Sequence, residues 1–214
     1  MGKKLATDEI YNILKNRIIQ LEYTPGVVLN EVDIANEFDI SRTPIREIFQ
    51  KLNSDRLLNI IPRFGAQVTY IDFKYMKSVF EVTREVEPFA TKLCVERIDE
   101  KKIGELEEIM NKLNQYNIKE DYQKAILEDE KFHDIVLNSS GNQCLEELLL
   151  NLHIHTERLW HYSEQYIDSM ELFTETLGKI LFAIKERSKE KAEKYAREHI
   201  DAFVEKIKKK CFKN

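Results

Sequence analysis

Residues 41–47 have the sequence Ser-Arg-Thr-Pro-Ile-Arg-Glu, which is typical of the first two turns of an exposed helix. Ser41 is a favourable N-cap residue for such a helix. Arg42 and Arg46 are four residues apart, so both side chains leave the same helical face. Arginines at the start of a helix can reach guanine edges in a major groove, while Ser41 and Thr43 can hydrogen-bond phosphates. On its own, this heptapeptide fits a DNA-recognition helix and a capped surface helix equally well.

The sequence on either side of this heptapeptide supplies the rest of a winged helix-turn-helix. Upstream, Asp8–Leu21 has apolar residues at helical spacing, and Glu31–Phe38 predicts a second, shorter helix after a Pro-Gly turn. Downstream, two short β-prone runs between residues 57 and 70 flank Arg63-Phe64-Gly65 and predict a hairpin. Helix, helix, recognition helix and hairpin in this order predict a winged helix-turn-helix, whose Arg63–Gly65 tip lies against the minor groove or the DNA backbone.

Nearly all of the N-terminal third of the sequence resembles the GntR family of bacterial transcription regulators. The matching residues keep the family's spacing, and they are Pro25-Gly26, Leu29-Asn30-Glu31, Ile34-Ala35, Ser41–Glu47, Leu52 and Pro62–Val68. The resemblance implies that Arg42 and Arg46 contact DNA bases. It further implies that Ser41 and Thr43 contact phosphates and that Gly65 forms the tip of the wing. The minor alternative to DNA contact is that Arg42 and Arg46 are only solvated side chains on a surface helix.

Size and charge suit a protein that binds a defined DNA site rather than any polyanion. The 214 residues are enough for two small domains, which we predict at residues 1–71 and 72–214. The formal net charge is −5, which argues against nonspecific binding of nucleic acid. Positive charge is nevertheless concentrated in the segment predicted to face DNA, at Arg42, Arg46, Lys51, Arg56 and Arg63.

Nothing in the sequence indicates export or a membrane. No apolar run approaches the roughly 20 residues that span a bilayer, and Met1–Thr7 lacks the apolar core of a secretory signal. Cys94, Cys144 and Cys211 are odd in number and widely spaced, which favours free thiols in a reducing compartment. A redox switch is the alternative reading of these cysteines. We therefore expect a cytoplasmic protein without membrane contact.

From Asp72 onward nearly every segment predicts a helix. The predicted helices are Phe73–Ile98, Lys101–Asn117, Lys119–Asn138, Gln143–Gln165, Asp168–Arg187 and Lys189–Lys210. Because the connections between them are short, we expect antiparallel neighbours in an all-helical bundle. The predicted fold class is therefore mostly α, with an N-terminal winged helix-turn-helix followed by an antiparallel helical bundle.

Two positions in the helical half carry side chains that suit a metal ion. Asp129-x-x-Phe132-His133 places a carboxylate and an imidazole one turn apart on one helix face, which fits either metal ligands or a surface contact. His199 follows Ala192 and Ala196, small residues that allow close helix packing. A histidine on such an inward face fits either a hydrogen-bonded core residue or a ligand.

The helical half resembles the GntR regulators that carry an FCD (FadR C-terminal) ligand-binding domain. The matches are Glu87-Pro88 with Ala90, Asp129-x-x-Phe132-His133, Ser140-Gly141-Asn142, Ile180-x-x-Ala183-Ile184 and Ala192-x-x-x-Ala196-x-x-His199. Many members of this subgroup bind a divalent metal, often zinc, through one Asp and three His, with a small organic acid beside it. The resemblance carries Asp129, His133 and His199 onto three of these four positions and implies zinc or nickel as the cofactor.

Two departures from the subgroup fall in the predicted effector pocket. The fourth expected ligand falls on Leu177, which cannot bind a metal. Thr83 stands where many relatives have an arginine facing the pocket, and Arg84 is one residue out of register, about 100° around the helix. Three arrangements remain: the three ligands bind a metal alone, His155 completes the shell, or the polar residues line a metal-free pocket for an organic ligand.

His155 is the predicted additional ligand because it lies on an inward stripe with spacings of four and three residues. That stripe consists of Leu148, Leu152, His155, Leu159 and Tyr162. His153 and His161 fall outside the stripe, and we expect both to be solvated.

These features together favour a ligand-responsive transcription regulator. We expect a homodimer that reads a short palindromic operator on double-stranded DNA and binds a small-molecule effector in the helical domain, with or without a metal ion. Repression is the default because most relatives repress. The alternatives are a metal-free regulator of a larger or apolar effector, an architectural DNA binder and, remotely, a metal-dependent enzyme. Since the sequence has no HExxH, nucleophile or phosphate-loop motif, we predict no catalytic residues and no enzyme.

Overall fold

The computed structural model describes residues 5–211, with side chains described through residue 209. The first residues of Met1–Thr7, where no secretory signal is predicted, and the thiol of Cys211 lie outside the described part. The described chain forms two compact units that divide between Phe73 and Lys74. No helix in the described part is long and apolar enough to cross a membrane.

The first unit combines helices with a small antiparallel sheet. Its elements are α1 (Thr7–Ile19), β1 (Val28–Leu29), α2 (Glu31–Glu37), α3 (Arg42–Ser54), β2 (Leu58–Ile61) and β3 (Gly65–Val68). The strand order is β1-β3-β2, with both neighbouring pairs antiparallel. The predicted winged helix-turn-helix is confirmed. The sequence did not predict strand β1, because two residues are too few to show an alternating pattern.

Helix α3 packs one face into the core of the first unit and leaves the other exposed. Its inward residues recur at helical spacing and are at most 2% exposed, namely Ile45, Ile48, Phe49 and Leu52. Burying each of these side chains contributes roughly 1.5–3 kcal/mol relative to leaving it in water. This burial fixes the rotation of α3 about its axis, so Arg42 and Arg46 face solvent.

All the regular secondary structure in the described residues of the second unit is helical. Its helices are α4 (Phe73–Arg97), α5 (Glu100–Leu113), α6 (Ile118–Ser139), α7 (Gln143–Tyr162), α8 (Glu171–Lys185) and α9 (Lys189–Cys211). The side chains of Asp99, Asn117 and Asn142 cap α5, α6 and α7 by accepting hydrogen bonds from backbone N–H groups. The predicted all-helical bundle is confirmed.

The largest difference in a helix boundary is at α5, which was predicted to end at Asn117 and ends at Leu113, and a further difference lies at the end of α7. The sequence predicted a continuous helix to Gln165, whereas α7 ends at Tyr162 and a short 3-10 helix, Glu164–Tyr166, follows. Ser163 is fully buried there and donates its hydroxyl to the Leu159 carbonyl at 2.6 Å. A tightened last turn of this kind is frequent at helix ends.

Candidate functional site

The two recognition arginines lie side by side on the exposed face of α3. Both donate to the same oxygen, Glu31 Oε2: Nη2 of Arg42 at 2.8 Å and Nε of Arg46 at 2.8 Å. Their side chains nevertheless remain 54% and 58% exposed. Both guanidinium groups are therefore held in place and still accessible to a partner.

Glu31, the first residue of α2, is an ionised acceptor for this pair. Burial works to raise its pKa, but the hydrogen bonds and charges of Arg42 and Arg46 outweigh burial and lower the pKa. Exposed ion pairs contribute little to stability. The effect of Glu31 is therefore geometric, because it restricts two long side chains to one orientation. The sequence had identified Glu31 only as a family match and not as a partner of the arginines.

The wing differs in detail from its prediction. Ile61 and Gly65 are paired residues of β2 and β3, so the exposed turn consists of the three residues between them. Arg63 lies in this turn with a positive φ of 71°. Gly65 is buried with φ +130°, and a Cβ on it would lie 2.1 Å from the carbonyl oxygen of Leu29. The placement of Gly65 at the tip is thus corrected: it lies at the base of the wing, where only glycine allows β3 to approach β1.

The other five residues predicted to contact DNA are exposed on this unit. Ser41 is the N-cap residue of α3 without a capping hydrogen bond from its side chain, and Thr43 lies in the first turn. Arg42, Arg46 and Arg63 all line a cleft between α3 and the wing. This face presents three guanidinium groups together. Their contact with DNA stays a prediction.

In the second unit, the three predicted metal ligands converge from α6 and α9. One possible ligand atom from each of Asp129, His133 and His199 lies within 4.8 Å of the other two. The Nε2 atoms of the two histidines are 3.2 Å apart. Asp129 Oδ2 is 3.7 Å from His133 Nε2, and Asp129 Oδ1 is 3.9 Å from His199 Nε2.

Hydrogen bonds on the far side of each ring orient both histidines toward this cluster. The Thr176 hydroxyl donates to the Leu172 carbonyl at 2.5 Å, so it accepts from His199 Nδ1 at 2.7 Å. His133 Nδ1 donates to Glu87 Oε1 at 2.9 Å. Each Nδ1 therefore carries a proton, and the two Nε2 atoms face each other. A single proton or a single metal ion between them satisfies both.

The electrostatics of the cluster follow from burial and from the carboxylates around it. Burial works to lower the pKa of His133, but the negative charges of Glu87 and Asp129 raise it to about 9. Burial and the positive His133 lower the pKa of His199 to about 3. Burial raises the pKa of Asp129 to about 6. With no metal bound, the shared proton belongs to His133 and is donated to His199.

Glu87 on α4 is a member of the site that the sequence did not identify in this role. Its Oε1 accepts from His133, and its Oε2 lies 3.2 Å from Nε2 of His153. Burial acts to raise its pKa, but the two histidines hold the pKa well below its usual range. A signal was present: Val79, Thr83 and Glu87 share one inward helical face, and a carboxylate on such a face needs a partner.

The prediction about the histidines of α7 is wrong. His153 and His161 are buried, with 7% and 5% of their surfaces exposed, whereas both were expected to be solvated. His155 does not line the cavity of this site, and its ring packs edge-on against Tyr75. The error lies in the phase of the Leu148-Leu149-Leu150 run. The structure buries Leu149, and four residues later the same face carries His153.

Of the other predicted pocket residues, one lines the cavity and two do not. Thr83 is 2% exposed and lines the cavity with the metal-ligand cluster. Arg84 does not line it, because its guanidinium bonds Asp201 at 2.6 and 2.9 Å. Leu177 is fully buried and also lies outside the cavity lining. The predictions for Arg84, His155 and Leu177 as pocket residues are therefore corrected, and His153 takes the place assigned to His155.

The three side chains fit a metal ion that keeps open coordination positions. Ligand atoms about 2.0–2.1 Å from a tetrahedral ion lie roughly 3.4 Å apart, close to the separation of the two Nε2 atoms. Asp129 Oδ1 is buried and has no hydrogen-bond partner within the described residues, so a cation would satisfy it. The adjoining cavity of about 50 Å³ has room for a few water-sized groups.

Two family models match the chain. The model described as FCD domain matches residues 78–202, and the one described as bacterial regulatory proteins, gntR family, matches residues 6–68. Together they cover both compact units.

Individual relatives span nearly the whole chain. The uncharacterized HTH-type transcriptional regulator YdhC of Bacillus subtilis is 28% identical over 204 residues, covering 94% of this chain and 90% of YdhC. The HTH-type transcriptional repressor RspR of Escherichia coli is 22% identical over 203 residues, covering 95% and 89%. The solved structure of E. coli McbR/YncC has a TM-score of 0.77 at 23% identity, covering 95% of this chain and 96% of its own, which shows a shared fold.

Proposed function

Because the chain belongs to the GntR family of bacterial regulatory proteins and carries an FCD domain, it is a DNA-binding transcription regulator, and we propose that it acts as a ligand-responsive repressor. Its family and relatives are regulators rather than enzymes. The similarity to RspR, a transcriptional repressor, supports repression here. We further propose a cytoplasmic homodimer, whose two-fold symmetry would match a short palindromic operator.

The DNA side of this proposal rests on the cleft beside α3. Arg42 and Arg46 would each reach a base edge in the major groove, while Arg63 on the wing contacts the backbone or the minor groove. Ser41 and Thr43 would donate to phosphates at the start of α3. The observation that carries this assignment is the pairing of both recognition arginines on Glu31 with more than half of each side chain exposed.

The effector side rests on the cluster in the second unit. We propose that Asp129, His133 and His199 bind one divalent ion, zinc or nickel, since imidazole and carboxylate together suit these metals. The bound ion would supply a Lewis acid that holds an effector at an open position. Glu87 and Thr176 orient the two imidazoles through their Nδ1 atoms, as outer partners of metal-bound histidines usually do.

A second candidate is a regulator whose pocket works without metal. The observation that favours it is the 3.2 Å contact between His133 Nε2 and His199 Nε2, which a single proton satisfies. In either case, the effector would shift the population between dimers that bind the operator and dimers that do not.

Elemental mass spectrometry tests the metal proposal on untagged protein purified without chelator or added metal. We expect close to one equivalent of zinc or nickel per chain, its loss in His199→Ala and its retention in His155→Ala. Absence of metal from the native protein, or equal metal in all three proteins, would overturn the metal site and leave the metal-free regulator.

The operator and the assembly need their own measurement. Selection from random duplexes should return a palindrome, and analytical ultracentrifugation should show one dimer bound per site. A non-symmetric consensus sequence, or a monomer bound to the DNA, would refute the proposal that a dimer binds the operator.

A further inference from the structure

The cavity of the second unit has an acidic lining. Four carboxylate side chains line it, those of Glu87, Asp129, Glu130 and Glu157. Among the described residues, no lysine or arginine lines it. Anionic ligands are usually received by arginine or lysine. This cavity lacks that feature.

Two of these carboxylates have partners within the site. Glu87 binds His133 and His153 through its two oxygens. Asp129 would be neutralised by the proposed metal ion. Their negative charges are therefore accounted for before any effector enters the cavity.

Two other groups facing the cavity need a hydrogen-bond partner. Glu130 Oε1 and Thr83 Oγ1 are buried atoms without a hydrogen-bond partner among the described residues. His161 lies nearby, with its Nδ1 2.8 Å from Gln123 Oε1 and its Nε2 3.5 Å from Glu130 Oε1, but neither Nε2 nor Oε1 makes a hydrogen bond among the described residues. Buried polar atoms in proteins are normally satisfied, so a hydrogen-bond donor is missing here.

One wall of the cavity is aromatic. The rings of Trp160 and Phe203 are stacked with centroids 3.7 Å apart, and Phe80 meets Phe203 edge-on at 5.8 Å. Trp160 also has Phe173 close by, with ring centroids 5.1 Å apart and planes tilted by 31°. Because these rings cover one another, the wall supplies apolar contact for the carbon atoms of a ligand.

From the acidic lining, the missing donor and the aromatic wall, we propose that the effector carries a compact organic ammonium group, received by Glu130 and Thr83 beside Trp160. This inference rests on the proposed function, in which the cavity is the effector site. A carboxylate could approach the metal ion, but it would share a cavity of about 50 Å³ with Glu130, a group of the same charge. A carboxylate without an ammonium group is therefore the disfavoured ligand.

The fluorescence of Trp160 provides a specific readout, because it is the only tryptophan of the chain and lines the cavity. Full-length protein is titrated with three probes of equal length, n-propylammonium chloride, sodium propionate and 1-propanol, at constant ionic strength. Zinc-loaded and chelator-treated samples are run in parallel. We expect a saturable change with n-propylammonium at a concentration at least tenfold below that needed for propionate or propanol.

Two variants test whether Glu130 and Thr83 bind the ammonium group. Glu130→Gln should weaken n-propylammonium binding about tenfold, and Thr83→Val, which keeps the side-chain volume, should weaken it several-fold. Glu120→Gln, at the exposed start of the same helix, should bind like the native protein. Circular dichroism confirms that each variant is folded. If Glu130→Gln does not fold, Thr83→Val still tests the site.

Each outcome bears on the inference separately from the proposed function. Preference for n-propylammonium that Glu130→Gln removes supports it. Preference for propionate, equal binding of all three probes, or no response of Trp160 overturns it. In those cases intact operator binding and metal content would leave the regulator itself standing. A protein that binds neither operator nor metal would refute the proposed function, whatever the probes do.

Discussion

The two compact units arrange their functional side chains in opposite ways. In the first unit, the arginines predicted to contact DNA are exposed and come from a few consecutive turns of α3 and from one turn of the wing. In the second, the side chains that line the cavity are buried or half-buried and come from four helices, α4, α6, α7 and α9. The residues of a DNA-binding surface can lie close together in the sequence. A pocket for a small ligand can be assembled only by the tertiary fold.

This difference determines how substitutions should act. On the first unit, a side chain can be removed from the exposed face without disturbing the core. In the second, almost every functional group also satisfies another buried group, so single changes should spread to neighbours. The predictions below test this contrast, beginning with the largest expected effect.

Gly65→Ala is expected to cause the largest loss of stability and operator binding, because Gly65 is buried, unlike the other residues predicted to contact DNA. A Cβ there would lie 2.1 Å from the Leu29 carbonyl oxygen, and φ is +130°. We expect a destabilisation of at least about 2 kcal/mol in denaturant unfolding, together with loss of operator binding. Gly104→Ala is the control, since its Cβ would meet no atom within 4 Å. It should be neutral or stabilising by up to about 1 kcal/mol. Equal stability of the two variants would contradict the close approach of β3 to β1.

Arg46→Ala tests the exposed side of the contrast. Removing one bidentate contact to a base should cost about 1–3 kcal/mol of discrimination between operator and random duplex. The free energy of unfolding should stay within about 0.5 kcal/mol of the native value, because the side chain is mostly exposed. Fluorescence anisotropy with both duplexes measures the discrimination, and Lys179→Ala, on the exposed face of α8, is the matched control. Unchanged discrimination would remove α3 from the DNA interface.

Glu87→Gln tests the buried side, where one residue should affect several functions. Loss of the carboxylate should lower metal affinity about 10- to 100-fold, as for other partners of metal-bound histidines. It should also free His153, so the environment of Trp160 in the same cavity should change. Competition with a chromogenic chelator measures the affinity, and Glu85→Gln, which is exposed on the same helix, is the control. Native affinity in Glu87→Gln would show that Glu87 does not orient the ligands.

The fold followed from the sequence because its signals are local. Turns, caps and apolar spacing predicted the winged unit and the six long helices, and the structure confirms both. Strand β1 was missed because it has two residues and exists only through its pairing with β3. Gly65 was expected at the tip of the wing, and the reason why this position needs a glycine, the nearby carbonyl of Leu29, lies on a distant segment of the chain.

The site in the second unit was predictable only in part. Asp129 and His133 are one turn apart, so the sequence shows them as a pair. His199 came from its family motif. Because three leucines of α7 are adjacent, the sequence does not show which of them faces the core. Choosing Leu148 instead of Leu149 placed His155 on the predicted inward face, where the structure has His153. The role of Glu87 depends on contacts with α6 and α7, to which sequence spacing gives no access.

The bond of both recognition arginines to one carboxylate has a consequence for how the regulator would search DNA. Glu31 is an internal competitor for the same guanidinium groups that any duplex would engage. Any phosphate or base must displace this competitor to capture an arginine, and only a duplex with acceptors correctly placed for both arginines satisfies the two guanidinium groups together. Encounters with the wrong sequence would therefore be brief, and the protein would leave unrelated DNA quickly. Through this competition, Glu31 alone would shorten the time that the protein stays bound to unrelated DNA.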